Sequence, residues 1–202
     1  MIRALKRYKK GGRNVSGQDL ASFRAPGYQD LPDLDLYMDQ VIGVLEKHLC
    51  VFFGEEKALT STMINNYVKN RLLPPPVNKK YNRRHLARLY QLCILKSFMQ
   101  LSDAAALLGA LEKGATPEET HERFRAALND AMRNVFSGTR GKESYPDPVE
   151  KALLAACETA ACILRARICF DEARLKETPE KAEKPKKEAK KKKEEKAQKK
   201  SS

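Results

Sequence analysis

Residues 59–81 have the sequence LTSTMINNYVKNRLLPPPVNKKY, and this stretch decides the fold. Apolar side chains recur at helical spacing and predict the buried stripe of a helix: Ile64, Tyr67, Val68 and Leu72. Thr60 is suited to be the N-cap of this helix. Three prolines at 74–76 then stop the helix and force an extended segment. A short wing-like turn carrying Lys79 and Lys80 is predicted to follow.

The other face of this predicted helix is polar: Thr62, Asn65, Asn66, Lys69 and Asn70. Asparagine is a mediocre helix former because its side chain competes for backbone hydrogen bonds, so this concentration of asparagines needs a reason. A helix in the DNA major groove presents Asn to adenine and Thr to several base edges. We therefore predict that Thr62, Asn65 and Asn66 read bases. The alternative is that this face is merely solvated.

Positive charge is concentrated inside the part of the chain predicted to fold. The 202 residues carry a net charge of +13, and residues 57–102 contain nine basic residues without any Asp or Glu. A surface of one sign repels itself unless a polyanion lies against it. Six of these cations are predicted to contact the DNA backbone: Lys69, Arg71, Lys79, Lys80, Arg83 and Arg84. Six neutralised phosphates predict that log K falls with log salt at a slope of about −5.

The rest of the chain also has helical patterns, without any strand-rich region. Five further helices are expected, after Pro32, Asn82, Ser102, Thr116 and Asp147. In the helix after Asn82, a buried stripe of Leu86, Leu89, Tyr90 and Cys93 lies opposite Arg84, Arg88 and Gln91. The fold class is therefore predicted to be all-α, a helical bundle with at most a small β wing.

Four segments are predicted from composition and charge. Residues 1–31 form a basic arm and a loose N-terminal segment, and 32–114 form the domain that carries the predicted DNA-binding helix. Residues 115–175 form a C-terminal helical pair. Its last helix, rich in alanine, either dimerises the protein or packs on the helix before it. Residues 176–202 form a Lys/Glu-rich tail that is disordered or partly helical.

Several classes of protein have no support in the sequence. No apolar run has the ~18 residues that a membrane span needs, and no secretory signal is present, which predicts a cytoplasmic protein. The five cysteines have no zinc-ligand spacing and are expected to be reduced and mostly buried. No nucleophile elbow, dinucleotide fingerprint or convincing carboxylate pair is present. Neither a metal, nor a cofactor, nor an enzymatic activity is predicted.

Residues 59–108 resemble the winged helix-turn-helix of the MerR superfamily. The nearest likeness is to an uncharacterised family of Gram-positive bacteria, domain of unknown function 1836. Its hallmark stretches resemble DLYMDQV at 35–41 and LTSTMINNYVK at 59–69. The likeness covers about residues 20–135. This chain departs from the broader MerR pattern by having Asn65-Asn66-Tyr67 in place of Arg-Tyr-Tyr, and Arg71 in place of a glycine.

The resemblance implies a DNA-binding fold and a homodimer, but neither a target sequence nor an effector ligand. Together with the charge pattern, it predicts a sequence-specific protein that binds double-stranded DNA and regulates transcription. The alternative is a non-enzymatic interaction protein whose basic face binds RNA, the ribosome or an acidic protein partner.

Overall fold

The computed structural model describes residues 9–10, 13–14, 17–54, 56–137 and 147–176, and most of them are helical. Seven helices form in these residues: α1 Gly17–Ala21, α2 Met38–Phe53, α3 Ser61–Lys69, α4 Arg83–Lys96, α5 Leu101–Leu111, α6 Pro117–Ser137 and α7 Pro148–Lys176. Two short antiparallel ladders accompany them, β1 Lys9–Lys10 with β2 Arg13–Asn14, and β3 Leu36–Tyr37 with β4 Lys80–Tyr81. The all-α class is confirmed.

The helix boundaries follow from capping residues that the sequence makes visible. The Thr60 side chain accepts a hydrogen bond from the backbone N–H of Met63, and Asn82 accepts one from His85 in the same way. Gly54, with φ of 62°, ends α2 in a conformation that favours glycine. These caps satisfy backbone groups that the first and last turns of a helix leave without partners.

Helix α4 lies at the centre of the hydrophobic core. Every residue from His85 to Leu95 is buried except Arg88, which is half-buried. The helix contacts α2, α5, α6 and α7. Arg84, Arg88 and Gln91 share one face, as predicted, and line the same groove, but Gln91 is buried because neighbouring elements cover that part of the face.

The segment 17–31 is docked against α6, which corrects the expectation of a loose N-terminal segment. The backbone N–H of Ala25 donates to Oδ1 of Asn129 at 2.8 Å, and the backbone N–H of Tyr28 donates to Oε1 of Glu122 at 2.8 Å. Nε2 of His121 lies 3.0 Å from the carbonyl oxygen of Pro26. The backbone groups of this segment thus find their hydrogen-bond partners on side chains more than ninety residues away. Sequence spacing does not reveal partners at that distance.

Helix α7 packs along α6 within the same chain. Its buried side chains are Leu153, Ala156, Cys157, Ala160, Ala161 and Leu164. Arg123 of α6 reaches Glu150 and Asp147 at the start of α7, at 3.1 and 3.5 Å. Much of the face that the sequence offered for dimerisation is therefore used inside the chain. One core spans the predicted boundary between residues 114 and 115, while the predicted tail beyond 176 lies outside the described residues.

The cysteines divide into two classes that the sequence did not separate. Cys93 and Cys157 are buried, whereas Cys50, Cys162 and Cys169 are exposed, and all five are free. The expectation that most of them are buried is therefore wrong. Burial raises the pKa of the Cys93 thiol to about 12 and also raises that of Cys157.

Among the described residues, no helix combines the length and the apolar character needed to cross a membrane. Over the same residues, no three His, Cys, Asp or Glu side chains are grouped so that they could hold a metal ion.

Candidate nucleic-acid interface

The outer face of α3 carries the three residues predicted to read bases. Thr62, Asn65 and Asn66 are exposed, while Ile64 and Tyr67 on the inner face are buried. Spacings of three and four residues put the exposed side chains on one face of a helix. With Lys69 the face extends about 10 Å along the axis, which matches roughly three base steps of a DNA strand.

Arg71 occupies the position that terminates α3, in a conformation that usually requires glycine. The N–H of Leu72 donates to the carbonyl of Tyr67 at 2.8 Å, and the N–H of Arg71 donates to that of Val68 at 3.0 Å. This pair of bonds defines a Schellman motif, in which the residue after the C-cap is left-handed. Arg71 has φ of 58°. A non-glycine residue there costs about 1–2 kcal/mol, so a guanidinium group is kept at the expense of backbone energy.

The predicted wing-like turn is a two-residue hairpin loop. Val77 and Lys80 exchange backbone hydrogen bonds of 3.1 and 2.9 Å, and φ is 50° at Asn78 and 62° at Lys79. Two positive φ values are typical of a type I′ turn, whose usual sequence is Asn-Gly. Lys79 therefore stands where glycine is preferred, as Arg71 does. These two cations and Asn78 are the non-glycine residues with positive φ in the described part of the chain.

The β3–β4 ladder fixes this turn to the chain just before α2. Leu36 lies opposite Tyr81, and Tyr37 lies opposite Lys80. The ammonium of Lys80 sits 5.4 Å from the centre of the Tyr37 ring, within reach of a cation–π interaction. Sequence reasoning missed Tyr37 as part of this site, because a two-residue strand has no periodicity and its partner is 43 positions away.

The predicted backbone-contacting cations do not share one environment. Lys69, Arg71, Lys79 and Arg84 are exposed, and Lys80 is half-buried. Within the described part of the chain, none of these five forms an ion pair. Arg71 and Arg84 line the same groove, which brings the end of α3 close to the start of α4.

Arg83 is engaged inside the protein, so the structure removes it from the accessible set. Its Nε donates to the carbonyl of Leu31 at 2.9 Å, and its Nη1 donates to Oε1 of Gln29 at 2.6 Å. Its Nη2 also lies 3.7 Å from Oδ1 of Asp33, and the Arg83 side chain is only 16% exposed. The sequence could not foresee this network, because the segment that supplies its acceptors was expected to be loose.

Two further cations of the acid-free window are not free to contact phosphates at this face. Arg88 is bound to Glu112 at 2.9 Å, and burial lowers its pKa, which the Glu112 carboxylate partly offsets. Lys96 ends α4, about 18 Å along the helix from Arg84. The acid-free window of the sequence therefore does not translate into nine cations on one surface.

The nearby histidine of α4 has a structural role. Nδ1 of His85 accepts the backbone N–H of Asn82 at 3.1 Å, which completes a reciprocal cap at the start of α4. Burial lowers the pKa of His85, and the carbonyls of Pro74 and Pro75 oppose this shift. The neutral ring thus supports the junction between the proline segment and α4.

Comparison with known proteins gives one positive result. A family model described as a domain of unknown function, DUF1836, matches residues 26–129, just over half of the chain. The match includes the docked segment from Pro26, runs through α3 and the wing-like turn, and ends within α6. No curated protein matches the chain. No solved structure matches it either.

Proposed function

Because the chain belongs to the family of domain of unknown function 1836, whose description names no activity, we propose a function from the site itself. The protein binds double-stranded DNA in a sequence-specific way and regulates transcription. Helix α3 is the recognition helix, with Thr62, Asn65 and Asn66 on base edges. Lys69, Arg71, Lys79, Lys80 and Arg84 neutralise the phosphates that flank them.

The order of elements supports a MerR-like winged helix-turn-helix. Helix α2 contacts α3, and the chain then passes through the proline segment into a hairpin loop and the β3–β4 ladder. In such an arrangement the second helix enters the major groove and the wing lies beside it on the backbone. Lys79 at the tip of the loop is suited to a phosphate contact.

One observation carries the proposal. A helix presents a polar face without carboxylates, and two cations near that face stand at backbone positions that favour glycine. Strained residues persist where the surrounding structure requires them, and they are concentrated at functional sites. A purely solvated surface gives no reason to keep Arg71 and Lys79 in left-handed conformations. A polyanionic partner does.

Selection of bound fragments from random duplex DNA tests this function. We expect one motif to be enriched, and Asn66→Ala to relax the preference at one base position by about 1–3 kcal/mol. Asn70→Ala is the matched control, since Asn70 is exposed at the end of the same helix and outside the proposed base-reading set. Recovery of fragments without any enriched motif would reject sequence-specific binding.

A homodimer is part of the proposal, because a pair of half-sites requires two copies of α3 about 34 Å apart. Sedimentation of the full chain at micromolar concentration, alone and with an enriched duplex, measures the stoichiometry. Two chains per duplex support the dimer, and a single chain on a non-palindromic site argues against it. No catalytic step is proposed for this cytoplasmic role.

Exposed apolar side chains beside the wing favour a second candidate, a non-enzymatic interaction protein whose basic face binds RNA, the ribosome or an acidic protein. Leu34, Tyr37 and Val77 are 69%, 56% and 70% exposed. Aromatic side chains that become buried on binding are typical anchors of protein interfaces. RNA-binding proteins also stack bases on exposed aromatic rings. Competition between random duplex DNA and single-stranded RNA separates these alternatives. A preference for RNA that Tyr37→Ala abolishes would favour the non-enzymatic interaction protein over the regulator.

A further inference from the structure

A groove of about 290 Å³ lies between the end of α3, the proline segment and α4. One wall is apolar and consists of Leu72, Leu73, Pro74 and Pro75. The far side is formed by Glu112 and by Pro117 and Thr120 in the first turns of α6. The volume is near the lower limit of pockets that take small organic ligands, about 300–1,000 Å³.

The groove carries uncompensated positive charge. Its lining includes three guanidinium groups, from Arg71, Arg84 and Arg88, but a single carboxylate, from Glu112. Glu112 is already paired with Arg88, whereas Arg71 and Arg84 have no ion pair within the described residues. Arg84 and Arg88 are four positions apart on α4, a spacing at which like charges destabilise a helix. An anion in the groove would relieve that repulsion.

A buried amide faces the same groove. Gln91 lines it and is only 2% exposed, yet its side chain makes no hydrogen bond to any part of the chain that the structure describes. The amide atoms of Gln91 are not among the side-chain atoms that are sealed from solvent without a partner, so they are open to the groove. A bound molecule with a polar group next to its anionic end would give this amide a hydrogen-bond partner.

The backbone conformation of Arg71 also supports a binding site for an anion in this groove. Its left-handed backbone closes α3 and directs the chain into Leu72 and Leu73 of the apolar wall. Glycine would close the helix with less strain but would remove a guanidinium group from the groove. The Arg71 side chain, the unpaired charge of Arg84 and the amide of Gln91 are three separate features of one cavity.

We infer that this groove binds a small organic anion. Arg71 and Arg84 hold its carboxylate or phosphate group, Gln91 meets a neighbouring polar atom, and the proline–leucine wall covers its apolar body. Guanidinium groups suit both kinds of oxyanion because their planar donors match the oxygen pairs. The inference goes beyond DNA binding and concerns the protein without nucleic acid, since Arg71 and Arg84 cannot hold this anion and DNA phosphates at the same time.

Titration of the isotopically labelled full chain by NMR tests the inference with four probes: benzoate, phenyl phosphate, inorganic phosphate and benzyl alcohol. We expect at least one of the two aromatic anions to saturate at millimolar concentration or below and to shift the side-chain signals of Gln91 and Arg84. Saturation by benzoate alone identifies a carboxylate ligand, and saturation by phenyl phosphate alone identifies a phosphate ester. Weaker binding of inorganic phosphate and benzyl alcohol is also expected, because each has only half of the required chemistry.

Three variants locate the site. Arg84→Gln should weaken the binding of the aromatic anion about tenfold or more, whereas Lys96→Gln, the same charge change on an exposed residue at the other end of α4, should leave it unchanged. Gln91→Leu should also weaken binding, because leucine offers no polar atom to the ligand. If Gln91→Leu does not fold, the comparison of Arg84 with Lys96 decides alone.

Three results would overturn the inference. One is that neither aromatic anion saturates the protein. Another is that benzyl alcohol or inorganic phosphate binds as tightly as the aromatic anions, since the groove would then not recognise both halves of the ligand. The third is that Arg84→Gln and Lys96→Gln weaken binding equally, which would assign the effect to net charge rather than to the groove.

Discussion

Exchanging Lys79 and Arg83 separately for glutamine distinguishes charge at the DNA interface from charge that holds the fold together. The two residues are close in sequence, and both are cationic, but their surroundings differ. Lys79 is exposed at the tip of a hairpin loop, whereas Arg83 donates to Leu31 and Gln29 and is largely buried. We therefore expect Lys79→Gln to weaken DNA binding without changing stability, and Arg83→Gln to lower stability without changing the salt dependence of DNA binding.

The expected magnitudes follow from the accessible cations. For one protomer on a single half-site, five phosphate contacts predict that log K falls with log salt at a slope of about −4.5, which is about 500-fold in affinity between 50 and 200 mM salt. Lys79→Gln should reduce the slope to about −3.6, or about 150-fold over the same range. The free energy of unfolding should not change, because glutamine has the same backbone strain as lysine at this position.

Arg83→Gln should leave the salt slope unchanged and lower the free energy of unfolding by about 1–2 kcal/mol. The loss comes mainly from the charge-assisted bond to the Leu31 carbonyl. The exposed Asp33 partner adds little, because ion pairs in contact with solvent are weak. For a chain of this size, the shift is equivalent to about 3–6 °C in Tm.

Fluorescence anisotropy at five salt concentrations, with a duplex that carries one half-site of the enriched motif, gives the slopes, and urea unfolding followed by circular dichroism gives the stabilities. Lys96→Gln serves as the control for an exposed charge away from the proposed interface and should alter neither quantity. The reasoning fails if Arg83→Gln makes the slope shallower by a full unit, or if Lys79→Gln leaves it at the native value.

Three further predictions concern the fold. Thr60→Ala should lower the free energy of unfolding by about 1 kcal/mol through loss of the α3 cap, and Thr60→Ser should restore most of it in the same urea assay. Arg71→Gly should raise the urea midpoint, since glycine accepts positive φ, and an unchanged or lower midpoint would contradict the assigned strain. Acidification from pH 7.5 to 5.5 should reduce stability. Burial lowers the pKa of His121 below its ordinary 6.5, so the unfolded chain takes up the proton first, and the contribution of the neutral ring declines as the pH falls below about 6.5. His121→Gln should make this decline shallower in urea titrations at each pH, and an equally steep decline in the variant would exclude His121 as its source.

Local features of the fold were predictable from the sequence because they depend on neighbouring residues. The Thr60 and Asn82 caps, the end of α2 at Gly54 and the exposure of the asparagines on α3 all follow from side chains within a turn or two. Helical periodicity alone was enough to separate the inner from the outer face of α3, because only one side of that helix packs on the core.

Features that depend on distant partners were not predictable. Gln91 is buried because α4 is covered on several sides, and a pattern that alternates polar with apolar residues does not reveal a second layer of helices. Arg83 looked like a solvated cation because its acceptors lie 52 and 54 residues earlier in the chain. The groove around Arg71 and Arg84 likewise joins separate elements, so no spacing rule identifies it.

The pairing of Leu36 with Tyr81 and of Tyr37 with Lys80 has a consequence for local opening. The first of these strands runs directly into α2 and the second is followed almost at once by α4, so the ladder connects two helices that sit side by side in the core. If β3 separates from β4, the hairpin loop before β4 loses its attachment at the same time. Amide hydrogens on both strands should therefore report the same free energy of opening in hydrogen exchange, as one cooperative unit that opens and closes without unfolding α4.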